Sequence, residues 1–496
     1  MKYKLAGTLA CLIILIIALM PSDEAMDGSK GQRVHQHIEA QQVTKTACSH
    51  DDSIFCTHLP LVVIDTDGVT IPGEPLYDED GNRVTGQYTA AEDGASTITA
   101  RFSVVDNQEK NNHTGDDASV NSLIDIRKRG ASSRHFDKAS YAIKLKTKDG
   151  DNNPQEIMGM DSHHEWVLYG PYLDKTLIRN YVCYNIAGEI MDYAPNVRFC
   201  EVVLNGEYRG LYLMAESITA GKDGSRLEIT VDKKDRTFSG YILRIDRGSS
   251  NELKNIDPFT AYTRRIKQQF DIVYPGSGNL SEEMAESIRQ DFSKFEKTLY
   301  SYDYDGNEGY KKYIDPVSFA DYFIINEFTC NYDAGWLSTY VYKEAGGKLK
   351  MCVWDFNSAW DNYQDANINT DGFQMQDCLW YFMLTKDEDF IELIIDRYID
   401  LRETFLSDEY LDRYIDETIA YLGDAVDRNY QVWGYTFSEE CDLLQPTERN
   451  LRSYEEAVGQ LKDFIHLRGQ LMDENIETLR QYCAESKVKK FNENSN

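Results

Sequence analysis

The chain is 496 residues long, enough for two or three core-forming units. Hydrophobic residues make up 42% and aromatic residues 12%, with 33 Tyr, which excludes a disordered protein. The formal net charge of −31 argues against binding nucleic acid through a general basic surface; it suits a basic partner, a cation-assisted site or plain solubility.

Lys2 and Lys4 precede a mostly apolar run, Leu5 to Met20. The run is shorter than the roughly 20 residues that a spanning helix prefers. Residues 1–25 therefore read as an export signal with its best cleavage site near Ala25, or as an uncleaved membrane tether through residues 5–20. The expected location is extracellular or membrane-anchored. Cys11 lies inside the run rather than after it, unlike a lipoprotein signal. Residues 26–56 are polar and read as a linker. The ten cysteines show no CxxC and no zinc-like spacing. Cys330 and Cys352 are one candidate disulfide; buried free thiols are the other reading.

Strand signals begin at "LPLVVIDTDG" (59–68), where Leu61 to Ile64 form a short buried run closed by Asp-Gly. They continue in "STITARFSVV" (96–105), "SYAIKLKT" (140–147) and "FCEVVLNGEYRGLYLMAE" (199–216), the last with Asn205-Gly206 as a hairpin turn. One helix interrupts them over 174–191, with Asp174 at its N-cap and Leu177, Val182, Ile186 and Ile190 at helical spacing. Polar residues dominate 221–256 apart from the strand "GYILRID" (240–246). Helices follow over 280–301 and 315–329, the second opened by Asp315-Pro316. A hairpin with Gly346-Gly347 at its turn comes next, and 374–483 is almost wholly helical. The domains read as a sheet-rich, nucleotide-binding N-lobe (57–220), an inter-lobe insertion (221–260) and a helical C-lobe carrying the hairpin (261–496). This α+β order is that of a two-lobed, protein-kinase-like fold with a nucleotide in its cleft.

Three stretches carry chemistry. In Tyr141-Ala142-Ile143-Lys144 the lysine lies on a strand beside apolar neighbours, like the phosphate-holding lysine of a V-A-I-K run. The competing reading is an edge lysine that keeps the sheet soluble. Just before it, Gly130, Ala131, Ser132 and Ser133 form a small-residue loop that can approach phosphates, with Arg129, Arg134 and Lys138 adding positive charge. The loop matches neither GxGxxG nor the P-loop, and a plain basic patch is the alternative. The third stretch places Asp333 before the hairpin and Asp355 after it, in Asp355-Phe356-Asn357. Phosphoryl transfer from ATP needs a carboxylate at the attacking hydroxyl and a cation on the phosphates, and Mg²⁺ takes hard oxygen ligands. A hairpin brings its ends together, so Asp333 is the candidate base and Asp355 the candidate metal ligand, with Asn357 and Ser338 as further oxygen donors. Taken singly, Asp333 is a turn residue and Asp355 caps a helix from Ser358. No GxSxG, HExxH or EF-hand loop occurs, and His163-His164 reads as a solvated pair. A two-carboxylate glycosidase fits the composition but leaves Lys144 and Arg129 without a role.

The segments "LPLVVIDT", "KRGASSRHFDKASYAIKL", "WVLYGPYLDKTLIRN", "LNGEYRGLYLMAESI", "GYILRID", "FADYFIINEFTCNYDAGWLSTYVYK" and "VWDFNSAWDN" occur in that order. On them the chain resembles the spore coat protein H (CotH) kinase family over about residues 59–480. The resemblance implies an atypical protein-kinase-like fold and transfer from ATP, with Mg²⁺ or Mn²⁺, to Ser or Thr of proteins. It implies Asp333 as the catalytic Asp and Asp355 as the metal-binding Asp. Lys144, Arg129 and Lys138 would meet phosphates, and Met214 to Ile218, including Glu216, would form the hinge at the adenine. Glu189 is the available helix partner for the lysine. Asp174, Arg179 and Asn180 form a family signature for which capping and helix packing are the default roles. Two positions depart from the pattern: Arg244 stands where many relatives have an acid, and Asp-Phe-Asn where they have Asp-Phe-Asp, which puts metal affinity in question. The expected partners are basic, Ser/Thr-rich protein segments, not nucleic acid, at a spore coat or cell surface. Two alternatives stay open: a catalytically idle binding module on the same scaffold, and AMP transfer.

Overall fold

The computed structural model describes residues 33–46, 48, 54–221, 227–231, 239–262, 268–301, 309–368 and 370–484. The apolar N-terminal run, and with it the signal and tether readings, lies outside the described residues. Among the described residues no helix is long and apolar enough to cross a membrane. The chain opens with α1 (Gln36–Gln41), within the stretch read as a linker.

Period-2 alternation of β-branched and aromatic residues builds the first half. Its strands are β1 (Cys56–Thr57), β2 (Leu61–Asp65), β3 (Pro75–Tyr77), β4 (Arg83–Tyr88), β5 (Ile98–Val105), β6 (Asn112–His113) and β7 (Val120–Arg129). There follow β8 (Ser140–Lys146), β9 (Gln155–Ile157), β10 (Met160–His163), β11 (Glu165–Tyr169), β12 (Val197–Leu204) and β13 (Glu207–Glu216). A closed barrel forms in the order β11-β13-β12-β2-β5-β7-β8, antiparallel except for the pair β12–β2. Ile64, Phe102, Ile124, Ile143, Leu168 and Met214 fill it. The alternate residues Val167, Val197, Leu213 and Ala215 face outward into a second core that runs on into the helical part. Asn205 and Gly206 take φ of 52° and 80°, the mirror-image turn that joins Leu204 to Glu207.

Helix α2 (Arg179–Ile190) lies between the barrel and the rest of the chain and is buried on nearly every side. It starts at Arg179, later than the sequence suggests, because Leu177 takes a left-handed φ of 66°. Asp174 still serves its first turn, accepting the N–H of Arg179 at 2.9 Å.

A second, antiparallel sheet follows. Its strands are β14 (Tyr241–Asp246), β15 (Asn255–Ile256), β16 (Gln269–Tyr274), β17 (Thr339–Lys343) and β18 (Lys350–Cys352), in the order β15-β16-β14-β17-β18. The strand that sequence placed in an insertion is thus the central strand. The hairpin β17–β18 forms as expected, with Tyr340 opposite Cys352 and Gly346 at φ 74° in its turn, but as the edge of this sheet. Helices α3 (Glu282–Leu299), α4 (Pro316–Thr329), α5 (Glu388–Arg402), α6 (Asp408–Leu422), α7 (Asp424–Trp433) and α8 (Tyr454–Asn475) complete a mixed α+β architecture, sheet-rich first and helical last. Asp315 caps α4 by accepting the N–H of Val317 at 3.1 Å, with Pro316 in the first turn. Cys330 and Cys352 are not joined: each is a buried thiol, set on the carbonyl oxygens of Glu327 and Val353 respectively.

Candidate active site

Two side chains one turn apart on α2 set the geometry of the site. Tyr184 Oη accepts the N–H of Asp355 and Asn180 Oδ1 accepts that of Phe356, both at 2.9 Å. Arg179 donates to the carbonyls of Ala359 and Trp360 at 3.0 and 3.3 Å. Asp174 holds that guanidinium at 2.6 Å, both groups being buried. The segment 355–360 is thereby moored to α2. Asp355 takes a φ of 63°, a conformation that costs a residue with a Cβ about 1–3 kcal/mol. The bonds from α2 hold it there.

A small cavity separates this segment from the barrel. Val167, Val197, Leu213 and Ala215 line its apolar side; Trp354 and Asp355 face them, with Arg129, Tyr169, Asn180 and Tyr184 completing the wall. Arg129 ends β7, and its guanidinium lies 5.4 Å from the centre of the Trp354 ring. Burial raises the Asp355 carboxyl above the usual range, and the Arg129 charge opposes that rise.

Asp333 sits half-buried in the turn after α4, where Cys330 reverses the chain at φ 46°. Burial first and Asp355 second push its carboxyl up to about 7; Arg247 pulls the other way and Asp246 adds to the rise. Asp246 and Arg247 act on Asp355 as well. Asp333 and Asp355 are thus electrostatically coupled, Asp246 and Arg247 act on both, and Arg129 acts on Asp355. The rung Ile245–Thr339 brings Ser338 to the same sheet end as Asp246, with a left-handed φ of 49°. Asn357 stands two residues beyond Asp355, its Oδ1 buried with no hydrogen-bond partner.

Other predicted residues are placed elsewhere. Lys144 lies opposite Glu165 and bonds its carboxylate at 3.3 Å on an exposed part of the barrel, outside the cavity. Lys138 is buried at 1% exposure, donating to Asn429 Oδ1 on α7 at 2.7 Å and lying over the Tyr212 ring. It braces the barrel against the helical part instead of meeting phosphates. Glu216 is fully buried and accepts the N–H of Asn196 at 3.0 Å, a packing role rather than a wall of the cavity. Glu189 pairs with His35 at 2.6 Å, and among the described residues no lysine pairs with it. Arg134 is held by the carbonyls of Gly130 and Gly73 and stacks on Tyr88. Ser132 opens the short turn Ser132–His135 just after Arg129; its side chain lies outside what is described. Arg244 pairs with Asp271: its Nη2 donates to both carboxylate oxygens at 3.2 and 3.1 Å and its Nε to Oδ1 at 3.2 Å.

Sequence reasoning missed Asp246, Arg247 and Tyr184. A carboxylate closing the apolar strand "GYILRID" was the available signal for Asp246. Tyr184 stands one turn from Asn180 on the same helix.

The molecule is thus a mixed α+β protein in which Asp355 and Arg129 border a partly apolar cavity between sheet and helix, with Asp333 electrostatically coupled to Asp355. The family model of the CotH kinase protein matches residues 126–472, and the chain belongs to that family. That family's description is of a kinase, a class of enzyme that uses ATP. The chain is also similar to inner spore coat protein H of Bacillus subtilis (strain 168), at 23% identity over 239 residues, covering 48% of this chain and 59% of that protein. It therefore spans less than two thirds of that relative's length.

Proposed function

We propose that this protein transfers the γ-phosphoryl group of ATP to Ser or Thr hydroxyls of proteins at a spore coat or cell surface, on an atypical two-lobed kinase fold. The observation that supports this reading is the electrostatic coupling of Asp333 to Asp355, which itself lines a partly apolar cavity. Asp333 is the base. A carboxyl held near 7 accepts a proton at neutral pH, and it takes the one released as the substrate hydroxyl bonds to phosphorus and ADP leaves. The apolar side of the cavity receives the adenine, and Arg129 the phosphates.

Asp355 and Asn357 would hold Mg²⁺ or Mn²⁺: a carboxylate beside a buried amide oxygen that lacks a partner is a hard-oxygen donor set. Bound there, the cation supplies positive charge against the phosphate oxygens. Asp246 and Ser338 are further oxygen donors at the same sheet end. Asn357 in place of an acid removes one negative charge from that set, so the cation binds more weakly than to paired acids. The net charge of −31 favours basic, Ser-rich acceptor segments.

The test is transfer from γ-labelled ATP to the chain itself and to a basic Ser-rich peptide. Label appears with the wild type and falls by roughly 10²–10⁴ in Asp333→Ala, with a loss in Asp355→Ala as well. A folded wild type that transfers nothing, or variants that transfer normally, sinks the reading. Label arriving from the α-position instead marks AMP transfer.

A further inference from the structure

The spacing of the cysteines along the chain suggests no metal site, yet folding gathers a nitrogen–sulfur cluster, none of whose members lines the cavity. Strands β1 and β6 pair antiparallel with Cys56 directly opposite His113. Side chains opposed in this way project to the same face. The third member is Cys48, whose Sγ lies 3.1 Å from His113 Nε2. Its segment is anchored to the loop before β6 and to the end of β1: Thr46 N–H donates to the Glu109 carbonyl at 2.7 Å, and Lys45 Nζ to those of His58 and Asn107 at 2.7 and 3.0 Å. The donor atoms of Cys48, Cys56 and His113 all lie within 4.8 Å of one another.

The surroundings support ligation. His113 Nδ1 lies 3.1 Å from Asp116 Oδ2, a pairing that places the ring proton on Nδ1 and directs the Nε2 lone pair toward Cys48. Asn111 Nδ2 donates to Cys56 Sγ at 3.3 Å, holding that sulfur in place beside the other two donors. All three candidate ligands are half-buried, so water can reach a fourth position.

We propose that Cys48, Cys56 and His113 bind a single zinc-like divalent cation, with water as the fourth ligand and Asp116 orienting the histidine. Two thiolates and one imidazole select Zn²⁺ over the oxygen-seeking Mg²⁺ and Ca²⁺. Binding releases the two thiol protons, and the two thiolate charges balance those of the ion. The ion ties Cys48 to β1 and to β6, the strands that carry Cys56 and His113. The rival arrangement is a Cys48–Cys56 disulfide, which consumes both thiolates and leaves no site.

The test uses the full chain purified without chelators, with metal content measured by elemental mass spectrometry and Co²⁺ as the optical probe. The expected results are about one zinc per chain, and with Co²⁺ a thiolate charge-transfer band together with four-coordinate visible bands. Cys56→Ser and His113→Ala lose those bands. Cys441→Ser, outside the cluster, keeps them. Asp116→Asn weakens metal affinity roughly 10–100-fold. A wild type with reduced thiols that takes up neither ion overturns the proposal. So does a Cys48–Cys56 disulfide in the peptide map of the isolated protein, or an unchanged cobalt spectrum in Cys56→Ser. The wild-type measurements decide the matter even where a variant fails to fold.

Discussion

Asp333 shows most directly how burial becomes chemistry. Its carboxyl is displaced from 3.8 to about 7, so at lower pH it is protonated and cannot accept a proton. Phosphoryl transfer should therefore rise roughly tenfold per pH unit up to about 7 and then level. The same displacement bears on stability. The folded state holds this proton more tightly than the unfolded chain, so the contribution is fully present below 3.8 and is lost as pH rises to about 7. Asp333→Asn should abolish transfer yet raise Tm more at about pH 8 than at about pH 4. An equal Tm gain at both would show that the carboxylate is not buried beside Asp355. The two acids could be singled out in the sequence because they flank a hairpin whose turn is readable, and that hairpin forms with Asp355 acting electrostatically on Asp333. Lys144 and Lys138 were not legible in the same way. Strand alternation says that Lys144 points away from Ile143, but not that Glu165 waits on the next strand. The partner of Lys138 lies 291 residues further along the chain, beyond the reach of any local pattern.

At the scale of elements, α2 carries the site. Its "IRN" start reads as a capping and packing motif, and the structure gives the helix a second role, in which three of its side chains hold the backbone from Asp355 to Trp360. Tyr184→Phe or Asn180→Ala removes one acceptor from a buried N–H, at a cost of about 1–3 kcal/mol. Because the loss falls on the strained residue Asp355 or on its neighbour Phe356, the expected signature is a drop in kcat of roughly tenfold or more, with a raised requirement for Mg²⁺. Ile186→Val, in the same helix but with its side chain in the core, should cost about 0.5–1.5 kcal/mol of stability and leave kcat unchanged. Kinetics that fell equally in all three would reduce α2 to a packing element. The central strand β14 illustrates what pattern alone cannot supply. Its apolar run was visible, but its pairing with β16 and β17 depends on a register set only when the chain has closed.

At the scale of the whole molecule, the stretch around α1 joins parts that the chain otherwise keeps apart. Arg33 donates to the carbonyls of Tyr184 within α2 and of Ala194 and Pro195 beyond it. Gly188 makes room for it: an added Cβ would stand 2.0 Å from the Arg33 guanidinium carbon. The Gln36 amide accepts from the N–H of Phe199 on β12 at 2.7 Å and donates to its carbonyl at 3.1 Å. His37 is fully buried between Tyr181 of α2 and Tyr414 of α6, with Nδ1 2.9 Å from Tyr181 Oη. One short segment thus touches the barrel, the helix that holds Asp355 and the helical part. It looked like a linker because its contacts are made by polar side chains, which leave no hydrophobic period to read. Burial, with His35 beside it, depresses His37 from 6.5 to about 4, although Glu417 stands 4.0 Å from Nε2. Between those values the unfolded chain binds a proton that the folded one refuses, so stability is lost as pH falls from 6.5 toward about 4. Carboxylates add their own loss at the acid end, so the informative quantity is the difference between chains. His37→Gln should flatten the fall in Tm between about pH 6.5 and 5 relative to wild type, and a chain begun at residue 45 should lack that component and melt lower at every pH. The shortened chain should also transfer phosphate more slowly, since Arg33 and Asp355 grip the same residue, Tyr184, by its carbonyl and its hydroxyl. Identical melting curves for the full and shortened chains would remove the segment from any part in holding the site.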